Sequence, residues 1–195
     1  MPQATHPPSA RQVELLDRAY RYVLEHGISE LSLRPLAAAI GSSPRVLLYL
    51  FESKDGLIRA LLARAREDEL ALLERVDHAD NHNLGTLTEV ARSLWGWLVA
   101  PEHRALLRLW VESYSRSLID PDGPWGGFAR STVDDWLAVL GAAQAPQERR
   151  SEHGEAERTL VLAVLRGALL DLLATGDVGR TTAAVNRFFA RAEKP

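Results

Sequence analysis

Apolar residues recur at intervals of three and four along most of this 195-residue chain, and this spacing narrows what the chain can fold into. Residues three or four apart lie on one face of an α-helix, whereas a half-buried strand needs strict alternation of apolar and polar residues. The sequence contains no convincing run of such alternation. It is therefore predicted to be all-α, without strands.

Nine helices follow from this spacing and from the glycines and prolines that interrupt it. The first runs over residues 10–26 and ends at Gly27. The others are predicted over residues 33–40, 44–50, 54–76, 84–99, 101–118, 125–140, 156–174 and 180–192. We expect an N-terminal domain over residues 1–52 and a second domain over residues 53–195, connected by the helix at residues 53–76.

Residues 33–50 have the features of a helix-turn-helix, in which a turn containing glycine joins two short helices. The turn is Gly41-Ser-Ser-Pro44. Ser43 is placed to cap the second short helix, and Pro44 suits its first position because proline needs no hydrogen-bond acceptor there. In this motif the second helix presents its outward face to the major groove of DNA.

The second short helix divides its side chains between two faces. Its inward side carries Leu47, Leu50 and Phe51, with Val46 beside them. On the outward side an arginine fits guanine, a leucine fits the thymine methyl group and a tyrosine hydroxyl fits a phosphate. The turn that opens the next helix adds free N–H groups and a lysine, a second site for phosphate. The residues predicted to contact DNA are Ser43, Pro44, Arg45, Leu48, Tyr49, Lys54 and Arg34.

The distribution of charge supports a DNA partner, although the total charge does not. The net charge of −3 argues against a nucleic-acid partner when it is taken as an average. Residues 1–66 nevertheless carry nine basic and six acidic side chains, a balance of +3, and the rest of the chain has a balance of −6. A basic N-terminal region beside an acidic remainder has the sign that a DNA-binding domain requires.

The run from Leu33 to Leu57 resembles the DNA-binding signature of TetR-family repressors. The matching residues are Gly41, Ser43, Tyr49, Phe51, Ser53, Lys54, Asp55 and Leu57. Leu48 stands where a tyrosine that often contacts phosphate is usual, and Leu50 stands where histidine is usual. The resemblance is specific over residues 10–65. It implies a repressor of a palindromic double-stranded DNA operator, with an inducer cavity in a C-terminal helical domain for ligand binding and dimerisation.

All five tryptophans lie in the predicted C-terminal domain, where the effector pocket is expected. Aromatic side chains with a few polar groups are typical of ligand sites, although large aromatic residues on helices also fill cores. Trp110 and Tyr114 are four residues apart and share one face. The predicted pocket residues are Trp95, Trp110, Tyr114, Arg92, Trp125, Phe128 and Trp136. The small molecule itself is not identified by the sequence.

Residues 159–174 are apolar nearly all round, with Arg166 and Asp171 as interruptions. A helix that is apolar on all sides is buried on all sides, so we expect one face on its own core and another on a second copy of the chain. A central helix of a monomer is the alternative. The predicted homodimer interface contains Leu162, Leu165, Leu169, Leu173, Val185, Phe188 and Phe189. Such a two-fold dimer would hold two recognition helices about 34 Å apart, one turn of DNA, or somewhat further.

No catalytic residue, metal site or cofactor is predicted. The chain lacks cysteine, and the pair His78 and His82 lies in a polar linker, where a solvated loop is favoured over a metal site. With no apolar leader or stretch of about 20 apolar residues, a cytoplasmic location without a membrane partner is expected. The alternatives are an all-α enzyme or small-molecule carrier whose N-terminal helices are scaffold, and an adaptor that recruits another protein through residues 160–173.

Overall fold

The computed structural model describes residues 8–28, 30–78 and 86–192, without the side chains of residues 72–78 and 192. All regular secondary structure in these ranges is helical, which confirms the all-α prediction. The α-helices are α1 (Ala10–His26), α2 (Leu33–Ala39), α3 (Pro44–Phe51), α4 (Lys54–His78), α5 (Leu87–Leu98), α6 (Arg104–Ile119), α7 (Phe128–Ala142), α8 (Pro146–Arg149), α9 (Glu152–Thr175) and α10 (Val178–Ala192). In the described ranges no helix is both long enough and apolar enough to cross a membrane.

Capping residues explain where the helices begin. The Ser9 side chain accepts a hydrogen bond from the Gln12 N–H at 3.2 Å, and α1 has the predicted bounds. α5 begins at Leu87, later than predicted, because Thr86 and Glu89 form a reciprocal capping box. α9 begins four residues earlier than predicted, because the Ser151 side chain accepts from the Gly154 N–H at 2.9 Å.

The chain divides into two compact units, of which the first comprises residues 1–66 and 109–129. It therefore joins α1, α2 and α3 with the first part of α4 and the second part of α6. Its apolar core includes Leu15, Ala19, Leu36, Leu47, Leu57, Leu61, Leu109 and Trp125. The predicted domain limits, 1–52 and 53–195, stay a prediction.

The second unit comprises residues 67–108 and 130–195. In it α9 packs against α10, α5 and α8, and α10 also packs against α5. The side chains buried in this unit include Leu94, Trp95, Leu140, Leu165, Leu172, Val185 and Phe189. An apolar core of its own therefore holds these helices together.

Candidate functional site

The turn between α2 and α3 sets the direction of the second short helix. Gly41 has a φ of 67°, a conformation that glycine adopts without steric penalty, and the Ser42 N–H donates to the Ala37 carbonyl at 2.8 Å. The Ser43 side chain then accepts from the Val46 N–H at 3.3 Å, with Pro44 in the first turn. The capped start predicted for α3 is therefore present.

The outward face of α3 is exposed and partly apolar. Tyr49 is 84% exposed, Leu48 is 41% exposed, and the Arg45 side chain also faces solvent. Val46, expected beside the inward residues, is exposed as well, whereas Leu47 and Phe51 are buried as expected. Because no other described part of the chain buries this tyrosine and leucine, the outward face of α3 is open to a binding partner.

The seven residues predicted to contact DNA all belong to the first unit. Pro44 is half-buried, and the exposed members are Ser43, Arg45, Leu48, Tyr49, Lys54 and Arg34. Their role in binding stays a prediction.

Two sets of basic side chains in the first unit differ in their partners. On α1, Arg11 and Arg18 both lie 2.6 Å from carboxylate oxygens of Glu14, and these arginines lower the pKa of Glu14 through hydrogen bonds and charge. By contrast, no described side chain forms an ion pair or hydrogen bond with Arg34, Arg45 or Lys54. The charges beside α3 are therefore available to an anion, whereas those of Arg11 and Arg18 are compensated by Glu14.

The connection from α3 to α4 is very tight. Glu52 has a φ of 66°, and the Ser53 N–H donates to the Phe51 carbonyl at 2.7 Å across it. The Ser53 side chain caps α4 by accepting from the Gly56 N–H at 2.9 Å. A Cβ atom on Gly56 would lie 2.0 Å from the Phe51 carbonyl oxygen, so the chain needs glycine there. This requirement was not foreseen from the sequence, because only the fold brings the Phe51 carbonyl against Gly56.

Four of the predicted pocket residues belong to the first unit: Trp110, Tyr114, Trp125 and Phe128. Trp125 and Phe128 are buried in its core. Trp110 and Tyr114 are half-buried, and their ring centroids lie 5.1 Å apart. Only this pair, of the four, leaves part of its aromatic surface uncovered within the chain.

The other three predicted pocket residues, Arg92, Trp95 and Trp136, belong to the second unit. Trp95 is buried and donates from its indole N–H to the Thr182 hydroxyl at 3.1 Å. Trp136 is also buried and donates to the carboxylate of Glu69, itself a buried acid. The Arg92 guanidinium lies over the Phe189 ring at 5.8 Å from its centroid. The pocket assignment stays a prediction for all seven residues.

The predicted dimer residues are mostly enclosed within the single chain. Leu162, Leu165, Leu169, Val185 and Phe189 are each at most 4% exposed, because they pack in the core of the second unit. Leu173 and Phe188 are half-buried. A second copy would meet little of the surface of the first five. The outward side of α9 instead carries Leu160 and Leu170, 53% and 51% exposed. Sequence reasoning included neither in the interface set.

Two other features of the sequence take their place in the structure. The His78 and His82 side chains lie outside the described residues. Trp97, a tryptophan left out of the predicted pocket, stacks on His103 with ring centroids 4.0 Å apart.

A capped and exposed helix after a tight turn, with uncompensated cations beside it, defines the class of a helix-turn-helix DNA-binding protein. Comparisons with known proteins agree. Residues 15–61 match the profile described as bacterial regulatory proteins of the tetR family. The HTH-type transcriptional repressor AcnR of Corynebacterium efficiens is 30% identical over 173 residues, which cover 87% of this chain and 85% of that protein.

Two further similarities extend over nearly the whole chain. The HTH-type transcriptional repressor Rv1474c of Mycobacterium tuberculosis is 29% identical over 172 residues, 88% of this chain and 82% of that protein. The multidrug binding protein EbrR in complex with imidazole is 27% identical with a TM-score of 0.68, covering 98% of this chain and 96% of its own. This chain belongs to the tetR family of bacterial regulatory proteins and is a DNA-binding transcriptional regulator.

Proposed function

We propose that the protein is a repressor that binds a palindromic operator as a homodimer and is released by a small molecule. The observation that supports DNA contact by particular residues is the exposure of Arg45, Leu48 and Tyr49 on the outward face of α3. The uncompensated charges of Arg34 and Lys54 provide phosphate contacts beside it. Repression is the activity named for the two relatives from Corynebacterium efficiens and Mycobacterium tuberculosis.

The test is binding of the full chain to the DNA upstream of its own gene, measured by electrophoretic shift against an unrelated duplex. Arg45→Ala is expected to weaken specific binding about 10- to 100-fold, since an arginine on a base edge contributes about 1–3 kcal/mol. Arg150→Ala removes the same charge from an exposed position in the second unit and serves as the matched control. Equal affinity of the two variants would contradict the role of Arg45.

The same experiment separates the proposal from its rival, an all-α enzyme or carrier with a scaffold-like N-terminal region. That alternative predicts a folded protein whose ligand binding or turnover is unchanged by Arg45→Ala and by Tyr49→Ala. If the unsubstituted protein does not prefer the DNA upstream of its own gene at low salt, this result would count against a repressor of its own gene. A regulator of this class acts on the chromosome, so we also propose a cytoplasmic location and no catalytic role.

A second copy of the chain is the partner proposed for the outward side of α9. Leu160 and Leu170 lie on this side together with the small exposed residues Ala163 and Gly167. Interface centres are depleted in charge, and none of these four residues is charged. Two-fold symmetry is also what two half-sites of a palindrome require.

Leu170→Glu tests this surface, because a glutamate there would be desolvated between the two copies. We expect the homodimer to dissociate, so that the elution volume on gel filtration changes from that of two chains to that of one chain. Val13→Glu, at an exposed apolar position of α1, adds the same charge in the first unit and is expected to leave the dimer intact. A dimer that persists in Leu170→Glu would show that the interface does not include this side of α9.

For the effector we propose an aromatic compound that contacts Trp110 and Tyr114 on α6. The support is their half-buried pair of rings and the similarity to EbrR, a multidrug binding protein crystallised with imidazole, proflavin and malachite green. Titration calorimetry of the DNA-free protein with malachite green tests it. Tyr114→Ala is expected to weaken binding several-fold, whereas Tyr22→Ala, an aromatic residue of α1, is expected to leave it unchanged. Equal heats for both variants would exclude Tyr114 from the site.

A further inference from the structure

Three basic side chains from separate elements meet at one shallow depression on the first unit. Arg34 lies in the first turn of α2, Lys54 opens α4, and Arg116 lies near the end of α6. Ser32 and a single acid, Glu30, also line the depression. Arg34 and Lys54 belong to the predicted DNA-binding set, whereas Arg116 does not.

A hydrogen bond from α6 explains how Arg116 reaches this place. The Glu112 carboxylate accepts from the backbone N–H of Ile28 at 3.0 Å, directly after Gly27 ends α1. Glu112 and Arg116 are four residues apart, so they lie one above the other on the same side of α6. The bond at Glu112 therefore holds this side of α6 against the connection from α1 to α2, and Arg116 lies beside the start of α2.

The charge of the depression suits one phosphate group of a nucleic-acid backbone. When Glu112, one turn before Arg116 on α6, is counted with Glu30, three cations face two carboxylates, which still leaves an excess of one positive charge. A backbone phosphate carries a single negative charge. All three cations are exposed, so their attraction for an anion acts through water and is sensitive to salt. The hydroxyl of Ser32 adds a neutral hydrogen-bond donor of the kind that often contacts phosphate.

We propose that Arg116 is a DNA-contacting residue, the third cation of a phosphate site formed with Arg34 and Lys54. The inference rests on the DNA-binding function and deepens it, because it adds a contact from α6 to those made by α2, α3 and α4. A phosphate contact positions the protein on the duplex and carries no sequence information directly.

The location of Arg116 also connects DNA affinity to the proposed effector. Trp110 and Tyr114 lie two residues before Glu112 and Arg116 respectively, and a step of two residues turns an α-helix by about 200°. The aromatic pair and the phosphate contact therefore occupy different sides of one helix. A ligand that displaces α6 through Trp110 and Tyr114 would withdraw Arg116 from the phosphate.

The experiment measures operator affinity as a function of salt for Arg116→Gln, Arg116→Lys and the control Arg150→Gln. For Arg116→Gln we expect affinity to fall about 3- to 10-fold at about 0.1 M salt, and the slope of log K against log[salt] to become shallower by about 0.9. Arg116→Lys should restore the slope, since it keeps the charge. The preference for operator over unrelated DNA should stay unchanged.

Two outcomes would overturn the proposal. One is an Arg116→Gln slope equal to that of Arg150→Gln. The other is a loss of affinity that Arg116→Lys does not rescue, which would indicate packing instead of charge. Failure of the proposed repressor function is distinguishable, because the unsubstituted protein would then show no preference for its upstream DNA at any salt concentration.

Discussion

Two pairs of adjacent leucines divide their side chains between inside and outside in the same way, but on different kinds of helix. Leu47 and Leu48 on α3 are 1% and 41% exposed, and Leu169 and Leu170 on α9 are 3% and 51% exposed. Their neighbours on the outward side differ. The exposed neighbours of Leu48 include Arg45 and Tyr49. The exposed residues one turn from Leu170 are Gly167 and Ala174, and the arginine one turn before it, Arg166, is half-buried.

We infer from this difference that the residues around an outward leucine indicate the kind of partner it meets. A DNA surface is uniformly anionic, so a leucine that meets it is flanked by a cation and by a hydroxyl group. A second protein chain offers no such excess of charge, and the centre of an interface between two chains is depleted in charged residues. The same side chain therefore points to opposite partners on α3 and on α9.

The largest expected effect comes from truncating the inward member of each pair. Leu47→Ala and Leu169→Ala should each lower the free energy of unfolding by about 2–5 kcal/mol, because each leaves a cavity in a packed core. Leu48→Ala should change it by no more than about 0.5 kcal/mol. Urea unfolding followed by circular dichroism measures all three. Equal losses for Leu47→Ala and Leu48→Ala would break the division between inside and outside on α3.

Glycines beside the two helices sharpen the comparison. Gly56→Ala places a Cβ atom 2.0 Å from the Phe51 carbonyl, and we expect a loss of about 3 kcal/mol or more together with weaker DNA binding. Gly176 ends α9 at a φ of 71° with no atom near its absent Cβ, so Gly176→Ala should lower stability by only about 1–2 kcal/mol. Thermal unfolding of both variants ranks them. The reverse order would show that backbone strain outweighs the clash.

An intermediate effect tests the departure of α3 from the family pattern. Leu48→Tyr supplies the hydroxyl that is usual at this position and that often contacts phosphate. We expect operator affinity to increase several-fold, as a net hydrogen bond contributes about 1 kcal/mol. Leu48→Phe adds the ring without the hydroxyl and is the matched control in an electrophoretic shift. An equal gain with phenylalanine would assign the effect to apolar contact.

The smallest effect concerns charge on α9. Asp171 accepts hydrogen bonds from Arg180 of α10 at 2.6 and 2.7 Å, and these bonds lower the pKa of Asp171 below its ordinary value of 3.8. A carboxyl group whose pKa is lower in the folded than in the unfolded state stabilises the folded state when the pH is above its unfolded-state pKa. This contribution is lost as the pH falls through the folded-state pKa. Asp171→Asn should therefore be slightly less stable at pH 7.

Acid titration of stability completes this test. The gap in melting temperature between the unsubstituted protein and Asp171→Asn should narrow as pH falls below about 3.8. Asp122→Asn is the control, because Asp122 is exposed and Arg180 donates to Asp171 instead. It should show no such gap. A gap that stays constant with pH would mean that the ion pair does not carry the difference.

Local sequence signals predicted the first unit well. Gly27 ends α1 because it lacks a Cβ atom and tolerates a positive φ, and Ser43 and Pro44 set the start of α3 by capping and by a fixed φ. These boundaries therefore follow from residue type. The Thr86 and Glu89 capping box was equally readable at the start of α5 and was missed. Between Ala145 and Arg150 the short helix α8 was missed as well, since four residues show no periodicity.

Surfaces were less predictable than helices. Over residues 160–174 of α9 nearly every position is apolar, so periodicity does not distinguish the side that faces the core from the side that faces outward. The predicted interface therefore included Leu165 and Leu169, which are buried within the chain, and left out Leu160 and Leu170. Arg116 gave no signal either, because its neighbours Arg34 and Lys54 are distant in sequence and only the packing of α6 brings them together.

The joint between α3 and α4 has a mechanical consequence. Only Glu52 and Ser53 separate the two helices, and hydrogen bonds at Ser53 fasten both sides of the joint. Gly56 lies against the Phe51 carbonyl, where a residue with a Cβ atom does not fit. So short and hydrogen-bonded a connection leaves few residues that could absorb a change of angle between the two helices. We therefore expect a rotation of the first turn of α4 to move the recognition helix with it.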